Sequence, residues 1–159
     1  MEKLDKSLDK KPLRSPHDGI HFGVTSSGGA SQSIEATGHT FQQSGGHDYY
    51  KWVAGTGGTV TISGYEIDVL IVGGGGNGGA AGQNWGGGGG GGGGVVTIEA
   101  WSGYPTTQQT ITIGGAQQAS SFGNVTANGG SNGTGGGAGN PGGSSGGSAN
   151  LPSGVSVHY

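Results

Sequence analysis

Apolar positions in this chain come in short bursts, and between the bursts the sequence is polar or nearly pure glycine. TVTI (59–62) alternates β-branched residues with a period of two, as a half-buried strand does. Ile20–Val24 and Tyr49–Val53 read as further strands, with turn chemistry in SSGGAS (26–31) and SGGHD (44–48). YEIDVLIV (65–72) ends in four consecutive aliphatics, which predicts a strand covered on both faces. VVTIEAW (95–101), QQTITIGG (108–115) and SSFGNVTANGG (120–130) predict three more strands, and GVSVHY closes the chain. Leu4 and Leu8 are four apart and could share one face of a short helix, which Pro12 and Pro16 would end.

Glycine fills 16 of the 22 positions from Gly73 to Gly94, and a second glycine-rich stretch covers 129–149. The first tract leaves from one strand and returns to another, so its ends are expected close together. A flexible linker needs no such flanks. Polyproline-II helices rise about 3.1 Å per residue and make no internal hydrogen bonds, so polyglycine holds that form only in a bundle whose backbones pair between rods. Interior rod positions must then be glycine, Gly73, Gly74, Gly75, Gly76 and Gly90 among them. Asn77, Ala80–Ala81 and Gln83–Trp85 are expected at turns. The fold class predicted is mainly β: short antiparallel strands with polyglycine-II-like rods packed as a bundle, and little or no helix.

Composition sharpens this picture. Of 159 residues 43 are glycine and only 9% are charged, against usual levels of about 7% and about 25%. Composition alone favours disorder, and the strands flanking the tracts argue against it. With 29% apolar residues a large oily core is not expected. The absence of cysteine excludes disulfides and thiolate metal sites. The first 18 residues show no secretory signal, and no apolar run is long enough for membrane insertion. Five of the six basic residues (Lys3, Lys6, Lys10, Lys11, Arg14) lie in that leader, and the remaining body offers no surface for nucleic-acid phosphates. Three regions follow: a leader at 1–18, a small β region at 19–64 and a glycine-rich domain at 65–159. The leader reads either as a solvated end or as an attachment segment using Leu4, Leu8, Lys10, Lys11 and Arg14.

VLIVGGGGNGG (69–79), the GGGVV return at 92–96, TITIGG (110–115) and SSFGNVTANGG (120–130) stand in an order that resembles the glycine-rich domain of bacteriophage tail and fibre proteins. YKWVAGTGGTVTISG before them is similar to the strand that leads into that domain. The likeness covers roughly 49–148. It implies a non-enzymatic virion component (short fibre, tail tip or capsid decoration), located in the particle. Its partners would be other virion proteins, further copies of itself and a host-surface glycan or protein.

Catalytic motifs are weak. Polyglycine matches GxGxxG trivially, but no apolar helix follows Val72, and no P-loop or GxSxG elbow occurs. His17-Asp18-Gly19 lacks the further ligands that a metal phosphohydrolase needs, and the other histidines show no ligand spacing beyond His47–Asp48. No cofactor is expected. Trp85, just before nine glycines, and Tyr104, in SGYPTT (102–107), are candidates for surface binding of sugar or protein. Each could instead cap the bundle or cover the sheet. The alternative function is ice binding by a flat polyglycine-II surface. Against it, the glycine pattern is irregular in period, with no regular array of threonines.

Overall fold

The structure, a computed structural model, describes residues 20–26, 31–81, 87–134 and 149–150. They form eleven strands: β1 (Ile20–Ser26), β2 (Ser33–Ala36), β3 (Thr40–Ser44), β4 (His47–Trp52), β5 (Gly57–Ser63), β6 (Tyr65–Val72), β7 (Val95–Trp101), β8 (Gln109–Thr112), β9 (Ser120–Phe122), β10 (Val125–Ala127) and β11 (Ala149–Asn150). No helix occurs among the described residues. One open sheet has the order β3-β4-β1-β6-β7 and the other β11-β10-β9-β8-β5-β2, and every pairing is antiparallel.

Local chemistry sets the connections. Gly45 and Gly46 both have positive φ, 60° and 80°, as the two-residue turn between β3 and β4 requires. Gly64 (φ 76°) turns the corner at which the chain leaves β5 in one sheet and enters β6 in the other. The inner faces meet in one core: Phe22, Trp52, Ile67 and Ile71 from one sheet, Ile62, Ile111, Phe122 and Val125 from the other, all 2% exposed or less. The ring of Phe22 meets that of Phe122 edge-on across the sandwich, with centroids 5.9 Å apart. Each such residue contributes about 1.5–3 kcal/mol on burial, so a small core exists in spite of the low apolar content.

Several expectations are corrected. β6 is not covered on both faces: Ile67, Val69 and Ile71 are buried, Glu66 and Asp68 are exposed, and Leu70 and Val72 are half-buried. Its aliphatic run is an ordinary alternation with two apolar residues on the outer side. SSFGNVTANGG is not one strand but the hairpin β9–β10, turned at Gly123 (φ 53°) and Asn124. β2 and β3 have no strong apolar alternation, so local pattern does not predict them. Strands from both sides of residue 64 share each sheet: β1 lies between β4 and β6, and β5 lies between β2 and β8.

The glycine tract leaves β6 at Val72 and re-enters β7 at Val95, and these two residues are paired. Between them the backbone N–H groups of Gly73, Gly76 and Gly79 donate to the carbonyls of Gly94, Gly91 and Gly88 at 2.7–2.8 Å. Gly88, Gly91 and Gly94 in turn donate to Thr134, Ser131 and Asn128, and Gly130 and Gly133 donate back to Gly74 and Asn77. Donors thus recur at every third residue around a closed cycle of three segments, 73–79, 88–94 and 128–134. The first and third run parallel, and the second runs against both. None of these glycines has positive φ. Close approach, not backbone conformation, demands glycine: a Cβ on Gly73, Gly74, Gly76 or Gly90 would collide with the carbonyl oxygen of Asn128, Gly115, Ser131 or Gly76, respectively.

Asn77 is not at a turn; it lies inside the first segment, exposed, with its N–H donating to Asn132 Oδ1 at 2.8 Å. Gly90→Val is therefore expected to cost roughly 1–3 kcal/mol or more through overpacking against backbone that cannot yield. Asn77→Val is expected to stay within about 0.5 kcal/mol, as an exposed substitution. Chemical denaturation of the two variants measures the difference, and equal losses would refute close packing at Gly90.

Candidate functional site

Of the residues singled out by sequence, Leu4, Leu8, Lys10, Lys11 and Arg14 lie outside the described residues, as do Trp85 and His17-Asp18-Gly19. Gly73, Gly74, Gly76 and Gly90 come together in the cycle of glycine segments. Gly75 does not need to be glycine on steric grounds, since a Cβ there would meet only the Gly91 carbonyl oxygen at an ordinary 3.6 Å.

Tyr104 is not an exposed binding ring. It is 7% exposed, and its hydroxyl donates to the Tyr65 carbonyl oxygen at 2.8 Å and accepts from the Tyr65 N–H at 3.2 Å. The phenol thus serves both backbone groups at the start of β6, where the chain has just crossed between sheets. Trp101 packs edge-on against Tyr104, with centroids 5.8 Å apart, and against Phe122. The shallow depression beside Trp101, Pro105, Gln109 and Val125 has a volume of about 120 Å³. Ligand sites of small-molecule enzymes usually measure about 300–1,000 Å³, so it is too small to enclose a substrate of that class.

A second surface emerges only from the sheet register. Phe22 on β1 is opposite Tyr50 on β4, and Tyr50 is opposite Phe41 on β3. The three rings form one row, with Phe22–Tyr50 stacked at 5.6 Å and Tyr50–Phe41 edge-on at 5.3 Å. Burial falls along it, from fully enclosed Phe22 to half-buried Tyr50 and then Phe41, which is 54% exposed. His39 folds over the row, 5.1 Å from Tyr50 and 5.5 Å from Trp52. Its Nδ1 is buried without a hydrogen-bond partner. Trp52 Nε1 donates to the Thr37 carbonyl oxygen at 2.7 Å and fixes the turn that brings His39 there. Asp48 accepts a 2.7 Å hydrogen bond from Gln43 Nε2 beside this row. His47 and Asp48 are successive residues of one strand and so point to opposite faces.

Burial pushes the Tyr50 hydroxyl pKa above its ordinary value, and the nearby Asp48 and Tyr65 add to the shift. Among the described residues no group of three His, Cys, Asp or Glu side chains is placed to hold a metal ion. Local pattern does not show the row, because TFQQS carries one apolar residue. The turn at Gly45–Gly46 was the available signal, since a two-residue hairpin there puts Phe41 opposite Tyr50. Comparison with known protein families, curated proteins and solved structures finds no match for this chain.

Two outcomes are expected. Tyr104→Phe leaves the Tyr65 backbone groups without their partner and should cost about 1–3 kcal/mol, read by denaturant unfolding. Tyr50 is an acid whose folded pKa lies above its unfolded value, so the folded state holds the proton more tightly. Its contribution is complete below pH about 10 and is lost as pH rises through the folded pKa. Thermal melts from pH 8 to 11 should show stability falling at the alkaline end, with a shallower fall in Tyr50→Phe.

Proposed function

We propose that the chain is a non-enzymatic structural component of a bacteriophage particle, a short fibre, tail-tip or capsid-decoration protein that contacts the host surface. The observation that carries this reading is the three-residue period of backbone hydrogen bonds among segments 73–79, 88–94 and 128–134. Three residues per turn is the repeat of the polyproline-II helix. The absence of positive φ in these segments and the collisions that a Cβ would cause at every third residue, Gly73, Gly76 and Gly79 and again Gly87, Gly90 and Gly93, support the same inference: three polyglycine-II-type rods packed as a bundle. At about 3.1 Å per residue a seven-residue rod is about 20 Å long.

The first and third rods continue from the ends of β6 and β10, the second leads into the start of β7, and the last hydrogen bonds, Gly79 to Gly88 and Gly88 to Thr134, mark their far end. Trp85, which follows Ala81 and precedes Gly87 in the sequence, is proposed as a surface-binding residue. The order of strand and glycine segments, similar to that in tail and fibre proteins, supports a place in the virion. The leader, with its clustered lysines and leucines, is proposed as the attachment segment to other virion proteins.

Ice binding has one observation in its favour: Gly75, Gly78, Gly89 and Gly92 are exposed and present rows without side chains. Each row holds only two such residues, which makes a small face for a crystal surface. Thermal hysteresis is expected to be absent at millimolar protein.

Amide exchange tests the rods: protection should recur at Gly73, Gly76 and Gly79 and at Gly88, Gly91 and Gly94, with fast exchange at Gly89 and Gly92. Uniform exchange along the tract would sink the rod assignment. Mass spectrometry of purified particles tests the virion assignment, and a chain starting at Gly19 that folds should fail to enter particles. Absence of the protein from particles refutes the virion reading; normal incorporation of the shortened chain refutes the attachment role alone.

A further inference from the structure

The four strands at the sheet edges are not equally defended. β7 carries a bulge, where the register shifts opposite Ile67–Val69, Ala100 takes φ 49° and Asp68 Oδ1 accepts the Ala100 N–H at 2.8 Å. Exposed Glu99 stands in the same bulge. β2 has four residues and places exposed Glu35 in its middle, and β11 has two residues. Bulges, charges and shortness are the devices that keep sheet edges from pairing with other chains.

β3 has none of them. TFQQS contains no charge, no proline and no bulge, and it keeps one register with β4 from Thr40 to Ser44. All five residues are exposed, and among the described residues nothing pairs with its outer side. The aromatic row Phe22–Tyr50–Phe41 also runs out at this strand, leaving Phe41 54% exposed at its end. An open backbone edge calls for an extended strand. An unfinished aromatic row calls for a strand with an apolar ring at the same height.

We propose that β3 is a homodimer interface, pairing antiparallel with β3 of a second copy about a two-fold axis that sets Phe41 opposite Phe41. The strand meets both demands by itself. It is neutral, so two copies do not repel across the axis, and its one aromatic residue stands on that axis, with Thr40 opposite Gln42 on either side. The row then continues unbroken as Phe22, Tyr50, Phe41 and the same three rings of the second copy in reverse order. The two five-stranded sheets join into one, and the isologous contact closes on itself without leaving this edge free for further growth. The inference concerns the edge alone and holds whether or not the chain belongs to a virion.

The experiment uses the full-length chain. Sedimentation velocity over a micromolar concentration series should show a dimer for the natural chain. Phe41→Lys, which places like charges at the axis, should weaken the dimer by at least about tenfold and keep the monomer's circular dichroism. The chain has no cysteine, so single-cysteine variants report contact between copies. Directly opposed residues in an antiparallel pair have Cα atoms about 4.5–5.5 Å apart, within the reach of a disulfide. Phe41→Cys should therefore oxidise to a covalent dimer about tenfold or more faster than Thr106→Cys, which is exposed on the β7–β8 loop. A natural chain that stays monomeric throughout, an oligomer indifferent to Phe41→Lys, or equal crosslinking of the two cysteine variants would overturn the proposal.

Discussion

Everything in the glycine-rich half of this protein depends on how closely its backbones approach one another. At Gly76 and Gly90 the neighbouring carbonyl oxygens stand where a Cβ would have to be. Backbone N–H and C=O groups are obligatory hydrogen-bonding groups, and segments without a sheet ladder must pair them in some other way. Here the pairing works only because the side chains are gone: each segment donates to the next at every third residue, around a cycle of three. Glycine's entropic cost in such a segment, about 0.5–1 kcal/mol per residue relative to alanine, is offset by hydrogen bonds and close contacts that no other residue would permit.

The sandwich and the glycine segments hold each other in place. β6 and β7 are paired at Val72 and Val95, so the first hydrogen bond of the tract, Gly73 to Gly94, continues a ladder that already exists. The third segment continues from β10, whose Val125 and Ala127 are buried in the core. The loop after β8 adds a further anchor, since Gly74 donates to the Gln118 carbonyl and Gln117 donates to that of Gly75. An isolated glycine tract has no such starting points and would lose the entropy of ordering without a template. Tyr104 acts comparably at the other end of β6, where one hydroxyl serves the backbone at which the chain changes sheets.

The two ends of the first sheet show opposite solutions to the problem of an open edge. β7 is bent by a bulge whose freed N–H is taken up by Asp68. β3 is free of bulges and uncharged, and it ends a row of rings whose burial falls step by step toward it. His39 covers part of that row and leaves a buried nitrogen unsatisfied, an arrangement that costs about 1–3 kcal/mol where a buried polar group lacks its partner. Tilted packing of the His39 ring against Tyr50 and Trp52 is the compensating contact present.

The sequence by itself determined the strands with strong local patterns. TVTI and YEIDVLIV announced β5 and β6 through β-branched and aliphatic runs, and SGGHD announced a turn, because these signals act within a few residues. It also determined that the tract from Gly73 to Gly94 must leave from one strand and return to another. Tertiary structure alone decided which glycines are indispensable. Gly75 and Gly76 are identical in sequence, yet only Gly76 faces a carbonyl that excludes a Cβ, and the neighbour, Ser131, is 55 positions away. It likewise turned Tyr104 inward, carried Asn77 through the middle of a segment rather than a turn, and made TFQQS a strand although its own residues supply one apolar side chain. In each case the deciding partner lies on a distant part of the chain, and local pattern holds no information about a contact whose other half is elsewhere.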